Sequence, residues 1–390
     1  MDLSPEFRLF CLALRRPQRP ADADALRAAV AAAPDWAAVL AGARRHRVAP
    51  LLLAGLQAST RVPADVVAEL RRRALADTRK GLAQVAEVGR LQRAFAEAGV
   101  RVLFLKGVVL SAQLFGDAAM RGARDIDLLV DPADLPRAET VLAEAGYRSS
   151  TPALSPRQAA SYRHWIKDVQ YVHAVGGTPL ELHHRLADSP RLLACDFGAL
   201  WDGREAVRVG DAAVGTLSRG ALALYLCVHG AGHAWERLRW LVDLAVLLRE
   251  PGCVDAALQA ADAAGLGAAM LHAVVLAHDW LGLAVDERHL ARARASAQVA
   301  RLARILARLY AGPAWHEMPE RGSLAGMARY SLWARLYRLG LKSDWRYRLD
   351  QARREAFTPA DFDTVRLPDP LFRLYPLIRP VGWMLRRWRG

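Results

Sequence analysis

Lysine is scarce in this chain. Of 54 basic residues only Lys80, Lys106, Lys167 and Lys342 are lysines, and the rest are arginine. Against 40 acids this gives a net charge of +14. Heavy alanine and leucine usage accompanies the arginine, so a GC-rich coding bias explains the excess as readily as polyanion binding does, and charge alone names no partner. Cysteine is also sparse. Cys11, Cys195, Cys227 and Cys253 form no close pair, which excludes a zinc ribbon or disulfide scaffold and fits a reducing compartment. Long apolar runs are missing: the most apolar window, Gly267 to Val285, is broken by His272, His278 and Asp279 and fails as a membrane span. The N-terminal stretch carries Asp2 and Glu6 ahead of a short apolar run, with no small-residue cleavage site, so it does not read as a signal peptide. There is no internal repeat and no low-complexity tract. What is present is 390 residues, 53% of them hydrophobic and 24% charged, which excludes a disordered or fibrous chain and gives room for two or three domains. The expectation is a cytoplasmic protein without a transmembrane segment.

Hydrophobic spacing divides the chain. From Ala21 to Glu97 apolar residues recur at three- and four-residue steps, with breaks at Ala33-Pro34, Ala49-Pro50 and Val62-Pro63, where proline disfavours helix in the residue before it. The longest predicted helix covers 64–97. Val100–Leu105 and Asp125–Val130 read as strands, separated by a helix over Val108–Phe115. Residues 168–173 and 178–184 flank a glycine turn and predict a hairpin. Further strands are expected near 206–209 and 213–217. Helices then return, the first capped by Ser218 and another over 237–248, with helical patterns filling 254–310. The predicted segments are an N-terminal helical region (1–98), an α/β core (99–217), a helical domain (218–320) and a basic, aromatic-rich tail (321–390). The tail holds fifteen of the cations against six acids.

The residues that carry chemistry are Asp125-Ile-Asp127. Strand positions i and i+2 face the same way, so both carboxylates project side by side, and a divalent cation such as Mg²⁺ is the usual partner of such a pair. Upstream, Leu105-Lys106-Gly107 ends a strand and opens a helix. Lys106 and a helix N-terminus favour negative charge there, and Gly107 allows close backbone approach. The loop Gly116–Arg124 delivers Arg121 and Arg124 beside the carboxylates, to meet phosphates or to pair with a nearby acid. On the hairpin Glu181 and His183 share a face, and Glu181 offers a third carboxylate. Three acids from two strands would hold two metal ions, one activating a hydroxyl and one clamping pyrophosphate.

Strand, glycine turn, helix and an Asp-x-Asp strand, with a later acid, resemble the DNA polymerase β-like nucleotidyltransferase superfamily. More narrowly, Leu105-Lys106-Gly107, Arg121-x-x-Arg124-Asp125-Ile-Asp127-Leu-Leu-Val130, Glu181-Leu-His183 and the stretch His229–Leu244 are similar to an uncharacterised bacterial nucleotidyltransferase family. The resemblance covers residues 25–250. It implies an α+β fold, a small mixed β-sheet nucleotidyltransferase core flanked by N-terminal and C-terminal helical regions. It also implies metal binding by Asp125, Asp127 and Glu181, with Lys106, Gly107, Arg121 and Arg124 near the nucleotide phosphates. The implied reaction transfers a nucleoside monophosphate, AMP from ATP, to an acceptor that is a small molecule, a peptide or protein, or an RNA, and releases pyrophosphate. One departure stands out: the superfamily turn is Gly-Ser or Gly-Gly, whereas Lys106-Gly107-Val108 lacks the serine.

Other readings accompany this one. The altered turn and basic tail suit a catalytically silent nucleotide- or RNA-binding accessory protein on the same fold. His229 and His233 have the spacing of a zinc pair, but without the HExxH glutamate they read better as part of an acceptor-side face, together with His183 and Trp235. The tail from Leu371 to Arg389 mixes aromatics and arginine and could touch an anionic surface, although Pro376 and Pro380 are expected to interrupt any long helix.

Overall fold

The computed structural model describes residues 4–16, 19–32, 34–57, 59, 61–151, 154–311, 315–317, 324–355, 365 and 367–388. Its fold is α+β. Helices α1 (Pro5–Leu14), α2 (Pro20–Ala31), α3 (Trp36–His46), α4 (Ala49–Leu56) and α5 (Ala64–Glu97) come first. The proline breaks fall where the sequence places them, except that α4 begins at Ala49, because Pro50 fits a first helical turn whose N–H groups have no partner. Then follow β1 (Val102–Phe104), α6 (Gly107–Phe115), β2 (Ile126–Val130), α7 (Leu135–Glu144), β3 (Tyr147–Ser149), α8 (Pro156–Trp165), β4 (Asp168–His173) and β5 (Pro179–His183). The short helix α9 (Phe197–Asp202) leads into the ribbon β6 (Glu205–Val209) and β7 (Ala212–Thr216). Helices α10 (Arg219–Gly232), α11 (Leu238–Leu247), α12 (Cys253–Ala263), α13 (Gly267–Leu281), α14 (Glu287–Ala295) and α15 (Ala297–Leu309) follow. The last are α16 (Leu324–Leu339), α17 (Trp345–Glu355) and α18 (Tyr375–Trp388).

The described strands form a five-stranded sheet, ordered β1-β2-β5-β4-β3, and the separate two-stranded ribbon. β2 and β5 run parallel; the other pairs in the sheet are antiparallel. The strand period gives the sheet two different faces. Ile126, Leu128, Val130, Leu180 and Leu182 enter one core with Val88, Leu91 and Phe95 of α5 and Leu142 of α7. Leu103, Leu105 and Leu129 enter the other, which runs from Phe7 of α1 through α10, α11 and α13 to Tyr347 of α17. The helices before and after the sheet therefore share a core. α13 is buried along most of its length, because α1, α10, α11, α12, α14 and α15 surround it. No helix among the described residues is long and apolar enough to cross a membrane.

α5 joins the two cores. At 1.5 Å per residue its 34 residues span about 50 Å. Val66 and Leu70 pack in the helical core, while Val88, Leu91 and Phe95 pack under the sheet. α18 departs from expectation, since its helix continues through Pro380. The side chains of Trp383, Arg386, Arg387 and Trp388, and all of Arg389, lie outside the described residues, and with them much of the expected anionic-surface contact.

Candidate metal and nucleotide site

Asp127 and Glu181 are register partners on the parallel strands β2 and β5. This pairing follows from the alternation: with Ile126, Leu128, Leu180 and Leu182 buried on one side, the intervening acids must point to the other. His183, two residues beyond Glu181, joins them. One oxygen or nitrogen from each of Asp127, Glu181 and His183 lies within 4.8 Å of the others. His183 Nε2 is 3.3 Å from Asp127 Oδ1 and 3.3 Å from Glu181 Oε2. Asp125, just before β2, is half-buried and stands outside this tight group.

Two of the four lysines neutralise the acids. Lys106 Nζ lies 2.8 Å from Asp127 Oδ1 and 5.7 Å from the ring centre of Tyr225 on α10. Lys167 pairs with Asp168, whose Oδ2 is 3.8 Å from His183 Nδ1. Burial opposes ionisation of Asp127, but Lys106 and the His183 imidazole outweigh it and hold the carboxyl well below its usual range. Burial and Lys167 oppose protonation of His183, yet the carboxylates Asp127, Glu181 and Asp168 raise its pKa. Asp125 goes the other way. Burial first, then the neighbouring Asp127 charge, pushes its carboxyl up.

The geometry can be tested for a divalent cation. Asp127 is 2% exposed, and its Oδ2 is buried without a hydrogen-bond partner. Such an orphaned acceptor costs about 1–3 kcal/mol unless something completes it. Glu181 presents a side chain that is 23% exposed. Two carboxylates from adjacent strands, one with an uncommitted oxygen, suit a hard cation, and the imidazole adds a softer donor. The donor set fits, with Lys106 holding the other Asp127 oxygen.

Gly107 has a stricter reason for being glycine than phosphate approach. Its φ is +66°, and a Cβ there would stand 3.0 Å from the Asp125 carbonyl oxygen. The turn that carries Lys106 is thereby pressed against the segment that carries the acids. Leu105 N–H adds a 3.0 Å bond to the Asp127 carbonyl.

Two predicted residues sit elsewhere. Arg121 is 2% exposed and its Nε lies 2.8 Å from both oxygens of Asp243 on α11, so its guanidinium anchors the loop to the helical core instead of facing a phosphate. Asp243 is its partner on α11. Trp235 is fully buried: its ring fills the space left by Gly230, and its indole N–H donates to Tyr337 Oη at 3.0 Å. It lines no acceptor face. By contrast, Arg124 is exposed, His233 is exposed and His229 is half-buried. Both histidine rings lie about 5 Å from Trp240 on α11, at 4.9 and 5.0 Å. Burial, then the charge of Lys106, lowers the pKa of His229.

Lys167, Asp168 and Tyr225 were not read from the sequence as site residues. The rarity of lysine was the available signal: where arginine is the default cation, a lysine marks a place that takes a compact ammonium.

Comparison with known proteins agrees with this geometry. No curated protein and no solved structure matches the chain. A family model described as uncharacterised nucleotidyltransferase matches residues 32–282, from just after α2 to just past α13. The match takes in the Lys106-Gly107 turn, both acid-bearing strands and the histidine helix; it begins at 32 instead of 25 and runs past the expected limit at 250. The chain is a member of the uncharacterised nucleotidyltransferase family.

Proposed function

We propose that this protein is a Mg²⁺-dependent nucleotidyltransferase that moves AMP from ATP to an acceptor and releases pyrophosphate. The observation that carries the reading is the in-register pair Asp127 and Glu181 with the buried, uncommitted Oδ2 of Asp127. Asp127 and Glu181, with Asp125 beside them, would hold the cation, which supplies Lewis-acid polarisation of the phosphoryl oxygens. The rest falls to the chain itself. Lys106 and Lys167 balance the acid charge and leave a cationic wall for phosphate oxygens. The N-terminus of α6 follows Lys106 directly and favours an anion, and Arg124 is exposed one residue before Asp125. His183 bridges Asp127 and Glu181 and fixes their separation. Catalysis of this kind is positioning plus charge neutralisation.

The test is direct. Purified protein with Mg²⁺ and each labelled nucleoside triphosphate should release pyrophosphate and form a labelled product by mass spectrometry. A chelator and Asp127→Asn should each abolish the signal. A second reading has its own support: Lys106 Nζ, 2.8 Å from Asp127, stands where a metal would compete, as in a silent nucleotide-binding protein. That protein would bind nucleotide and release no pyrophosphate.

A further inference from the structure

A cleft beside the acid-bearing segments has no role so far. It encloses about 810 Å³ between α3, α5, residues 122–124 and the hairpin turn 176–179. Its lining connects directly to the site, for Arg124 precedes Asp125 and Pro179 is two residues before Glu181. The charge of Asp125 reaches both Arg47 and Arg239 on its walls.

Arg44, Arg47, Lys80 and Arg124 line this cleft, and their side chains have no ion pair or hydrogen bond among the described residues. Arg72 and Arg73 also line it, but both are held by Glu69. Asp77 is the one acid in the described lining. Four cations without a close ion pair, facing a lining with one described acid, repel one another, and an anion relieves that repulsion.

Two buried side chains point the same way. Gln84 is 4% exposed with Oε1 unpartnered, and Arg239 is 7% exposed with Nε unpartnered. Arg239 is fixed by its Nη1 bond to the Gly122 carbonyl at 2.9 Å. A buried polar atom without a protein partner is open to one from a ligand or a water. The lining also says what the ligand is not. It holds alanine, glycine, threonine and proline but no aromatic ring among the described residues, so it offers no stacking platform for a base.

We propose that this cleft is the acceptor subsite and that it holds a phosphate monoester group of a small-molecule acceptor. The inference rests on the transferase reading above. The cations take the phosphate, and Arg239 and Gln84 complete it and a neighbouring hydroxyl. A hydroxyl of the same molecule then faces the acids. Its oxygen forms a bond to the α-phosphorus of the nucleotide as the α–β bridging P–O bond breaks. Pyrophosphate leaves with that bridging oxygen, and the hydroxyl proton passes to solvent.

The test is calorimetry with glycerol 2-phosphate at low ionic strength, without metal, so that no turnover is needed. Wild-type protein should bind the probe, and Arg47→Gln with Lys80→Gln should weaken it at least tenfold. MgATP affinity should change less than twofold, and saturating MgATP should leave probe binding unchanged. Arg44→Gln, an exposed position on the last turn of α3, serves as a second variant that keeps the fold and should weaken the probe severalfold. Absent binding, equal binding by the variants, displacement of the probe by MgATP, or tighter cleft-dependent binding of single-stranded RNA would each overturn the proposal. Asp127→Asn protein should bind the probe normally. Loss of the transferase reading would therefore show as missing pyrophosphate release with probe binding intact.

Discussion

Asp127 and Asp243 are both buried carboxylates facing a cation, yet they are built differently. Arg121 takes both oxygens of Asp243 at 2.8 Å, with both partners at most 2% exposed, so the pair closes on itself. Lys106 takes one oxygen of Asp127 and leaves the other without a partner, beside a half-exposed Glu181 and a shared imidazole. A planar guanidinium satisfies a carboxylate completely, whereas a compact ammonium satisfies half of one. The first pair holds the Gly116–Arg124 loop to the helical core. The second leaves valence for something that is not protein.

The comparison can be broken at either pair, and the largest effect belongs to the closed one. Asp243→Ala strands a buried guanidinium and should lower unfolding stability by about 3–5 kcal/mol, read from urea midpoints. A loss below about 1 kcal/mol would put Arg121 on the same footing as a surface cation. Asp127→Asn should cost less stability than Asp243→Ala, because Glu181 and Asp125 remain near Lys106. Pyrophosphate release should nonetheless fall by ~10² or more. The reverse ranking, a large stability loss with activity kept, would make Asp127 a structural residue.

A smaller effect tests how the turn and the acids are coupled. Gly107→Ala places a Cβ against the Asp125 carbonyl at a left-handed backbone position, and about 1–2 kcal/mol of destabilisation is expected. Gly107→Ser should cost a similar amount here. A serine variant of full stability and higher activity would show that the turn tolerates a side chain.

The smallest effect calibrates the scale with a peripheral pair. Glu87 accepts from Arg90 at 2.6 Å and from the Tyr147 hydroxyl at 2.7 Å, and these outweigh burial and lower its pKa. Because the folded value lies below the unfolded one, the contribution is complete above the usual glutamate range. It is lost as pH falls through the lower folded value. Wild type should therefore exceed Glu87→Gln by about 0.5–1 kcal/mol near neutrality, with the gap closing below about pH 4. A gap that widens in acid would reverse the sign.

Much of this was legible in the sequence, and the reasons are local. Proline placed the breaks between α2 and α5, and alternation placed β2, β4, β5 and the ribbon. Asp-x-Asp within an apolar strand, and Glu-Leu-His two strands later, marked the acid face. What was missed had weak local signals: β3 spans three residues, and α8 has a polar composition. His183 could be placed on the face of Glu181, but nothing local said that its ring would bridge to Asp127. Arg121 and Trp235 were assigned by nearness in the chain to functional residues, and long-range packing sent them to Asp243 and Tyr337.

By itself the sequence determined the periodicities, the breaks and the side of the sheet on which the acids stand, because backbone geometry and apolar burial act over a few residues. The tertiary structure decided which cation meets which acid. It also gathered Arg47 just after α3, Lys80 of α5 and Arg239 of α11 into one cleft. Charge pairing depends on distance in space, and no spacing along the chain encodes it.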